Sequence, residues 1–125
     1  MGGSLMSGWS NSKNYTINVI DKKKYAILKK RNRNKKIKFF KSIDDINNQN
    51  NLDYIIFATR PLELTNVFKE LKNANFNKKS IAISVIAGKK TEIFKKNLIN
   101  ISKIVRVMPN MPALIGEGVH CIYTN

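Results

Sequence analysis

The sequence is poor in the residue types that most often mark cross-links or metal chemistry: 125 residues hold one cysteine, one histidine, one tryptophan and three prolines, with only 8 side-chain carboxylates. A lone Cys121 excludes an internal disulfide and a multi-thiolate zinc site, so no metal is expected and a reducing, cytoplasmic location is the default. His120 is its neighbour, but adjacent residues of a strand point to opposite faces, so the two cannot make a nucleophile and base pair by themselves. No apolar run approaches the roughly 20 residues that span a bilayer, and the opening segment lacks the basic and apolar blocks of a signal peptide. A membrane partner is therefore not expected.

What the chain has in excess is positive charge: 23 Lys and Arg give a formal net charge of +15. A polyanionic partner is the obvious reading of such an excess. The lysines, among them Lys22 to Lys24, Lys78, Lys79, Lys95 and Lys96, are nevertheless scattered among an equally heavy load of Asn and Ile, which is the pattern of a compositional drift. No aromatic stacking array or recognition motif accompanies them, so a nucleic-acid function is not expected. Length permits one domain with a real core, and a hydrophobic content of 42% is that of a folding chain.

Short apolar runs alternate with helix-patterned segments from Tyr15 onward, which predicts an α/β fold with a parallel sheet and crossover helices. Expected strands are 15–20, 37–40, 54–58, 81–86 and 104–108, with a last one over 119–123. Expected helices are 22–30, with Tyr25 and Leu28 on one face, and 61–71, with Leu64, Val67, Phe68 and Leu71 at helical spacing. A further helix starts at Thr91 and is expected to bury Ile93, Phe94 and Leu98. The polar segment 47–51 reads as a loop.

Gly2 and Ser4 open an amphipathic stretch containing Leu5, Met6 and Trp9. Gly2 fits the third glycine of a G-x-G-x-x-G turn, which lets a helix pack closely on a sheet; the first two positions would lie upstream of Met1. A flexible terminus is the plainer reading of these residues alone. Asp21 ends the first expected strand 19 residues after Gly2, near the spacing at which a carboxylate meets a cofactor ribose. It can equally cap the helix after it. A carboxylate there favours NAD, whereas Lys22, Lys23 and Lys24 suit a 2′-phosphate, so the cofactor preference stays open.

Two loops at strand ends, Ala58-Thr59-Arg60-Pro61 and Ser84-Val85-Ile86-Ala87-Gly88, place small residues where open parallel sheets bind ligands. The last strand runs into Met108-Pro109-Asn110-Met111-Pro112-Ala113, followed by Gly116-Glu117-Gly118. Two prolines there hold the Asn110 amide at the ligand edge, where it can recognise a carboxamide or carboxylate. Glu117 reads as a loop carboxylate, and Arg106 as a residue paired on the sheet surface.

The segment from Tyr54 to Tyr123 resembles pyrroline-5-carboxylate reductase in three places. Ala58 to Pro61 stands for the family's A-V-K-P turn, Ile83 to Gly88 for its I-S-x-x-A-G loop, and Arg106 to Ala113 with Gly116 to Gly118 for its R-x-M-P-N-x-P-A and G-E-G elements. The opening from Met1 to Trp9 also resembles the stretch that comes after the family's first glycines. The resemblance implies a Rossmann-like, mostly parallel sheet with helices on both faces, and reduction of 1-pyrroline-5-carboxylate to proline with NADPH or NADH. It implies that Gly2 and Ser4 line the pyrophosphate turn and that Asp21 lies near the ribose. Ala58, Thr59, Arg60 and Pro61 would flank the cofactor with Val85, Ile86 and Ala87, and Asn110 would face the nicotinamide and substrate. Arg60 replaces the family's Lys and changes the donor geometry of that contact. Residues 1–125 are expected to be a partial NAD(P)-binding domain, with the family's first strand and its helical dimerisation domain outside the sequence and a second chain as a source of that domain. The alternative is a non-enzymatic remnant or binding module that keeps the fold.

Overall fold

The computed structural model describes residues 2–12, 14–110, 112 and 118–124. In chain order the elements are α1 (Gly2–Ser10), β1 (Ile17–Ile20), α2 (Tyr25–Arg31), β2 (Ile37–Phe40), β3 (Tyr54–Phe57), α3 (Leu64–Glu70), β4 (Ile81–Ser84), α4 (Thr91–Asn97), β5 (Lys103–Met108) and β6 (Cys121–Thr124). Two 3-10 turns, Ile43–Asp45 and Gln49–Asn51, lie between β2 and β3. This is the α/β alternation that the apolar runs predict, with most elements trimmed by one to three residues at their ends.

Among the described residues the strands form two sheets. β1 pairs with β2 in parallel, and β3-β4-β5-β6 form a second sheet that is parallel except for the antiparallel β5–β6 pair. β1 and β3 are not paired with each other. β3, Tyr-Ile-Ile-Phe, is an uninterrupted run of β-branched and aromatic residues, and β1, Ile-Asn-Val-Ile, differs from such a run by one asparagine.

The core lies under the larger sheet. Ala82, at 0% exposure, lets the helices approach the centre of β4, and around it Phe57, Leu64, Phe68, Phe94, Leu98, Ile101 and Ile104 are buried. The rings of Phe57, Phe68 and Phe94 form a triangle with centroids 5.1 to 6.0 Å apart, two of its three contacts edge-to-face. In α3 the pair Leu64 and Phe68, four residues apart, points inward while Val67 and Leu71 pack at the margin, as their spacing predicts. In α4 the expectation holds for Phe94 and for Leu98 just beyond the helix, but Ile93 is exposed. One turn of helix cannot aim two adjacent residues at the same sheet.

The amino-terminal ends of β3 and β4 are fastened by side chains. The Ser80 hydroxyl donates to the Leu52 carbonyl at 2.6 Å, and Gln49 donates to the Ile43 carbonyl at 2.9 Å while accepting from the Asn75 N–H at 2.8 Å. Ser42 and Asp45 form a capping box on the first 3-10 turn. Asn32 and Asn34 close the loop into β2: Asn32 Nδ2 donates to the carbonyls of Asn34 and Ile37, and Asn34 Nδ2 reaches the Ser10 carbonyl at 3.3 Å, at the end of α1.

Candidate functional site

Within the larger sheet the parallel strands send their carboxyl ends to one edge, so the loops after β3, β4 and β5 share a rim, and the Lys23–Glu63 and Lys22–Glu70 ion pairs set the residues after β1 beside those after β3. Hydrogen bonds there join neighbours: Val85 N–H donates to the Phe57 carbonyl at 3.0 Å and Asp21 N–H to the Phe40 carbonyl at 3.3 Å. The structure thus brings Asp21, Ala58 to Pro61, Val85 to Ala87 and Asn110 to the same edge.

The start of α1 sits on this rim. A Cβ built on Gly2 would lie 3.0 Å from Ala58 Cβ and 3.9 Å from the Ala58 carbonyl oxygen, so the helix approaches the end of β3 as closely as a residue without a side chain allows. That is the packing role predicted for the third glycine. Ser4 lies in the first turn of the same helix and is half-buried. α1 nevertheless buries none of its residues completely.

Asp21 does not cap α2 itself, which starts at Tyr25 with Lys24 as an N-cap that makes no side-chain bond; it organises the turn before that helix. Oδ1 accepts from the N–H groups of Lys23 at 3.1 Å and Lys24 at 2.9 Å, which fixes the turn leading into α2 and leaves Oδ2 for another donor. Of the three lysines after it, Lys22 pairs with Glu70 at 3.8 Å and Lys23 with Glu63 at 2.6 Å, so only Lys24 lacks a carboxylate partner among the described residues. The short hydrogen bond from Lys23 and its charge hold the Glu63 carboxyl below its ordinary value of 4.5, against a small opposing effect of burial, and Arg60 acts in the same direction.

In the loop after β3, Ala58, Arg60 and Pro61 are exposed, while Thr59 is half-buried with its Oγ1 enclosed and without a hydrogen-bond partner. Such an enclosed hydroxyl without a partner among the described residues is uncommon in a folded protein. In the loop after β4, Val85 is half-buried and Ala87 exposed, and Gly88 adopts φ +69°, the left-handed conformation that glycine reaches without strain. Ile86 departs from expectation: its side chain, at 2% exposure, is part of the core, so only its backbone faces the rim. The Ser84 hydroxyl accepts from the Ile86 N–H at 3.3 Å and sets the turn.

Asn110 is exposed beyond β5, and its Oδ1 accepts from Val119 N–H at 3.1 Å. The side chain therefore ties the strand end to the segment entering β6, and Nδ2 has no partner among the described residues. Met111, Ala113, Gly116 and Glu117, part of the motif around it, lie outside the described residues, as does Met1. Arg106 was expected to pair on the sheet surface; instead no carboxylate meets it among the described residues. Its Nε is enclosed without a partner and one terminal nitrogen lies 3.5 Å from Met108 Sδ. Sequence reasoning passed over both Thr59 Oγ1 and Arg106 Nε as distinct features, because neither enclosure nor partner is visible in the residue type. No group of acidic, His and Cys side chains among the described residues is disposed to hold a metal, and no helix there is long and apolar enough to cross a membrane.

No protein-family model matches the chain. A curated pyrroline-5-carboxylate reductase from Haemophilus influenzae is 34% identical over 87 residues, covering 65% of this chain and 32% of its own length. Among solved structures, a pyrroline-5-carboxylate reductase from Coxiella burnetii superposes with a TM-score of 0.79 at 23% identity, over 99% of this chain and 46% of the other. The Plasmodium falciparum pyrroline carboxylate reductase, solved with NADP bound, gives 0.71 at 24% identity over 100% and 44%. The chain therefore spans about a third of the curated relative and under half of the solved chains. Over the matched part the chain is similar to the pyrroline-5-carboxylate reductases, and its fold is the Rossmann-like fold of their solved structures.

Proposed function

We propose that residues 1–125 are the nicotinamide-dinucleotide-binding part of a pyrroline-5-carboxylate reductase, an oxidoreductase of proline biosynthesis. The observation that carries this reading is the rim itself: the start of α1, Asp21, the 58–61 loop, the 85–88 loop and Asn110 stand together at the carboxyl edge of a sheet whose sequence and fold both resemble that family. Two local features fit a dinucleotide. Gly2 seats the first turn of α1 on the end of β3, and in that turn the N–H groups of Gly3 and Ser4 lack carbonyl partners in the helix. Thr59 Oγ1 is an enclosed hydroxyl still in need of a partner.

In this reading Asp21 Oδ2 accepts a ribose hydroxyl, while Lys24 offers a charge to a 2′-phosphate, which leaves both NADPH and NADH as ligands. Ala58, Thr59, Arg60, Pro61, Val85, Ile86 and Ala87 flank the dinucleotide, Ile86 through its backbone. Asn110, whose Oδ1 is engaged by Val119 N–H, would offer its Nδ2 donors to the nicotinamide and substrate side. When bound, the cofactor supplies the hydride; the protein supplies orientation and water exclusion. The substrate pocket needs a helical domain beyond these residues, supplied by a longer chain or by a partner.

Calorimetric titration with NADPH and then NADH, on protein whose fold is checked by circular dichroism, tests the reading. Saturable heat with at least one of them is expected, with a weaker response from Asp21→Ala. A folded protein that gives no heat with either would refute it.

A further inference from the structure

The positive charge is not shared evenly over the fold. Residues 22–41 hold eleven Lys and Arg and no Asp or Glu, so these 20 residues contribute +11 of the formal +15. The remaining 12 cations stand among all 8 carboxylates and contribute only +4. All eleven are exposed, on the unit made by α2, β2 and the turns beside them. Scatter through the chain, expected from the sequence, describes the other cations and not these.

Position divides the eleven. Lys22, Lys23, Lys24 and Lys41 lie at the carboxyl edge with Asp21, Asp44 and Asp45, and ion pairs tie two of them to Glu70 and Glu63. Lys30, Arg31, Arg33 and Lys35 lie where α2 ends and the chain turns back into β2, at the opposite end of a four-residue strand, roughly 13 Å from the rim. None of these four meets a carboxylate among the described residues. Cations in a last helical turn complement the helix dipole, but that effect fades within the turn and does not reach Arg33 or Lys35.

The frame that presents them is fixed. Tyr25 and Leu28 are half-buried, so Ile27, Lys30 and Arg31, three and four residues apart, face outward, and with Arg33 they line an open, shallow depression. Asn32 and Asn34 brace the loop through the carbonyls of Ile37 and Ser10 and the Lys36 N–H. Residues 26–38 contain no aromatic side chain on which an unpaired base could stack, and Ile27 is the one large apolar side chain exposed there, too little to anchor a bilayer surface.

We propose that the end of α2 and the 32–36 loop form a docking surface for the phosphate backbone of duplex nucleic acid, bound without regard to sequence. Lys30, Arg31, Arg33 and Lys35 each meet a phosphate, and the dinucleotide rim takes no part.

Fluorescence anisotropy of a short labelled duplex of mixed sequence, titrated with the 125-residue protein, tests it. Neutralising four phosphates predicts a slope of log K against log salt of about −3.6, roughly a 150-fold loss of affinity between about 50 and 200 mM. Replacing Lys30, Arg31, Arg33 and Lys35 together by Gln should weaken binding at least about tenfold at the lower salt and flatten the slope. Replacing Lys78, Lys79, Lys95 and Lys96 by Gln, which gives the same net charge, should change affinity less than about threefold. Arg33→Gln alone, in a loop outside the core, should lower the slope by about 0.9. Saturating NADPH should leave duplex affinity unchanged. Absence of binding at about 50 mM salt, or equal losses in the two fourfold variants, would overturn the proposal. So would displacement of the duplex by NADPH, which would move it to the rim. Tighter binding to phosphatidylserine–phosphatidylcholine vesicles than to the duplex, lost in the first fourfold variant, would assign the surface to a membrane instead.

Discussion

Replacing Gly2 by alanine places a methyl 3.0 Å from Ala58 Cβ, whereas carbon atoms prefer about 3.5 to 4.0 Å. Overpacking of this kind costs about 1–3 kcal/mol where the surroundings cannot yield. Here they yield in part, because α1 buries none of its residues completely and can withdraw as a body. The cost therefore falls near the lower bound, about 1 kcal/mol. Alanine recovers at most about 0.5–1 kcal/mol over glycine inside a helix, and less at a first position, so Gly2→Ala should be destabilising by several tenths of a kcal/mol. Ala58→Gly removes the opposing methyl, and in that background the Gly2→Ala change should become neutral or favourable. The assay is urea unfolding of the parent, the two single variants and the double, at constant m-value. A coupling of about 1 kcal/mol between the sites is expected, beyond the roughly 0.3–0.5 kcal/mol within which independent sites add. Additivity within that margin would refute the claim that α1 is seated on the end of β3.

Phe94→Ala should cost about 3–5 kcal/mol, since the ring is 1% exposed and meets both Phe57 and Phe68, and the urea midpoint should fall accordingly; a loss below about 1 kcal/mol would show that the triangle is not the core. Thr59→Val should leave stability unchanged or raise it by up to about 1 kcal/mol, because it removes an enclosed hydroxyl with no partner, yet it should weaken NADPH binding in titration. The Glu63 carboxyl titrates below 4.5 in the folded protein, so its pairing with Lys23 favours folding above that pH and is lost as pH falls through the lowered value. Lys23→Met should move the Glu63 titration, followed by carbon-detected NMR, back toward 4.5; an unmoved titration would assign the lowering to Arg60 or another group.

The alternation of strands and helices was legible because β-branched runs and the Leu64, Phe68 spacing carry it directly. The rim was legible as well, since strand ends are fixed once strands are placed. The division into two sheets was only partly legible: the pattern of β1 and β3 fits an interior strand, and nothing local to either records which neighbours it has. Ile93 and Ile86 misled for the same reason, as apolar character says that a residue prefers burial but not which of two neighbours obtains it. The asparagines offered the reverse case. As composition they looked like drift, yet Asn32 and Asn34 close a loop through several hydrogen bonds, a role that depends on φ and ψ and on long-range proximity to Ser10.

Gln49 and Ser80 fasten the end of the sheet opposite the rim, and this makes the larger sheet mechanically a cantilever. Its anchored root is set by three short hydrogen bonds and by loops that touch no ligand position, while its free tip carries the 58–61 and 85–88 loops. Sequence change at the tip then alters what is held there without loosening the root. The larger sheet, from Ile43 through β5 and β6, is for that reason the piece to graft: loops of other lengths or charges can be exchanged at its tip, and a library built on those two loops should retain its fold far more often than one that varies Gln49 or Ser80.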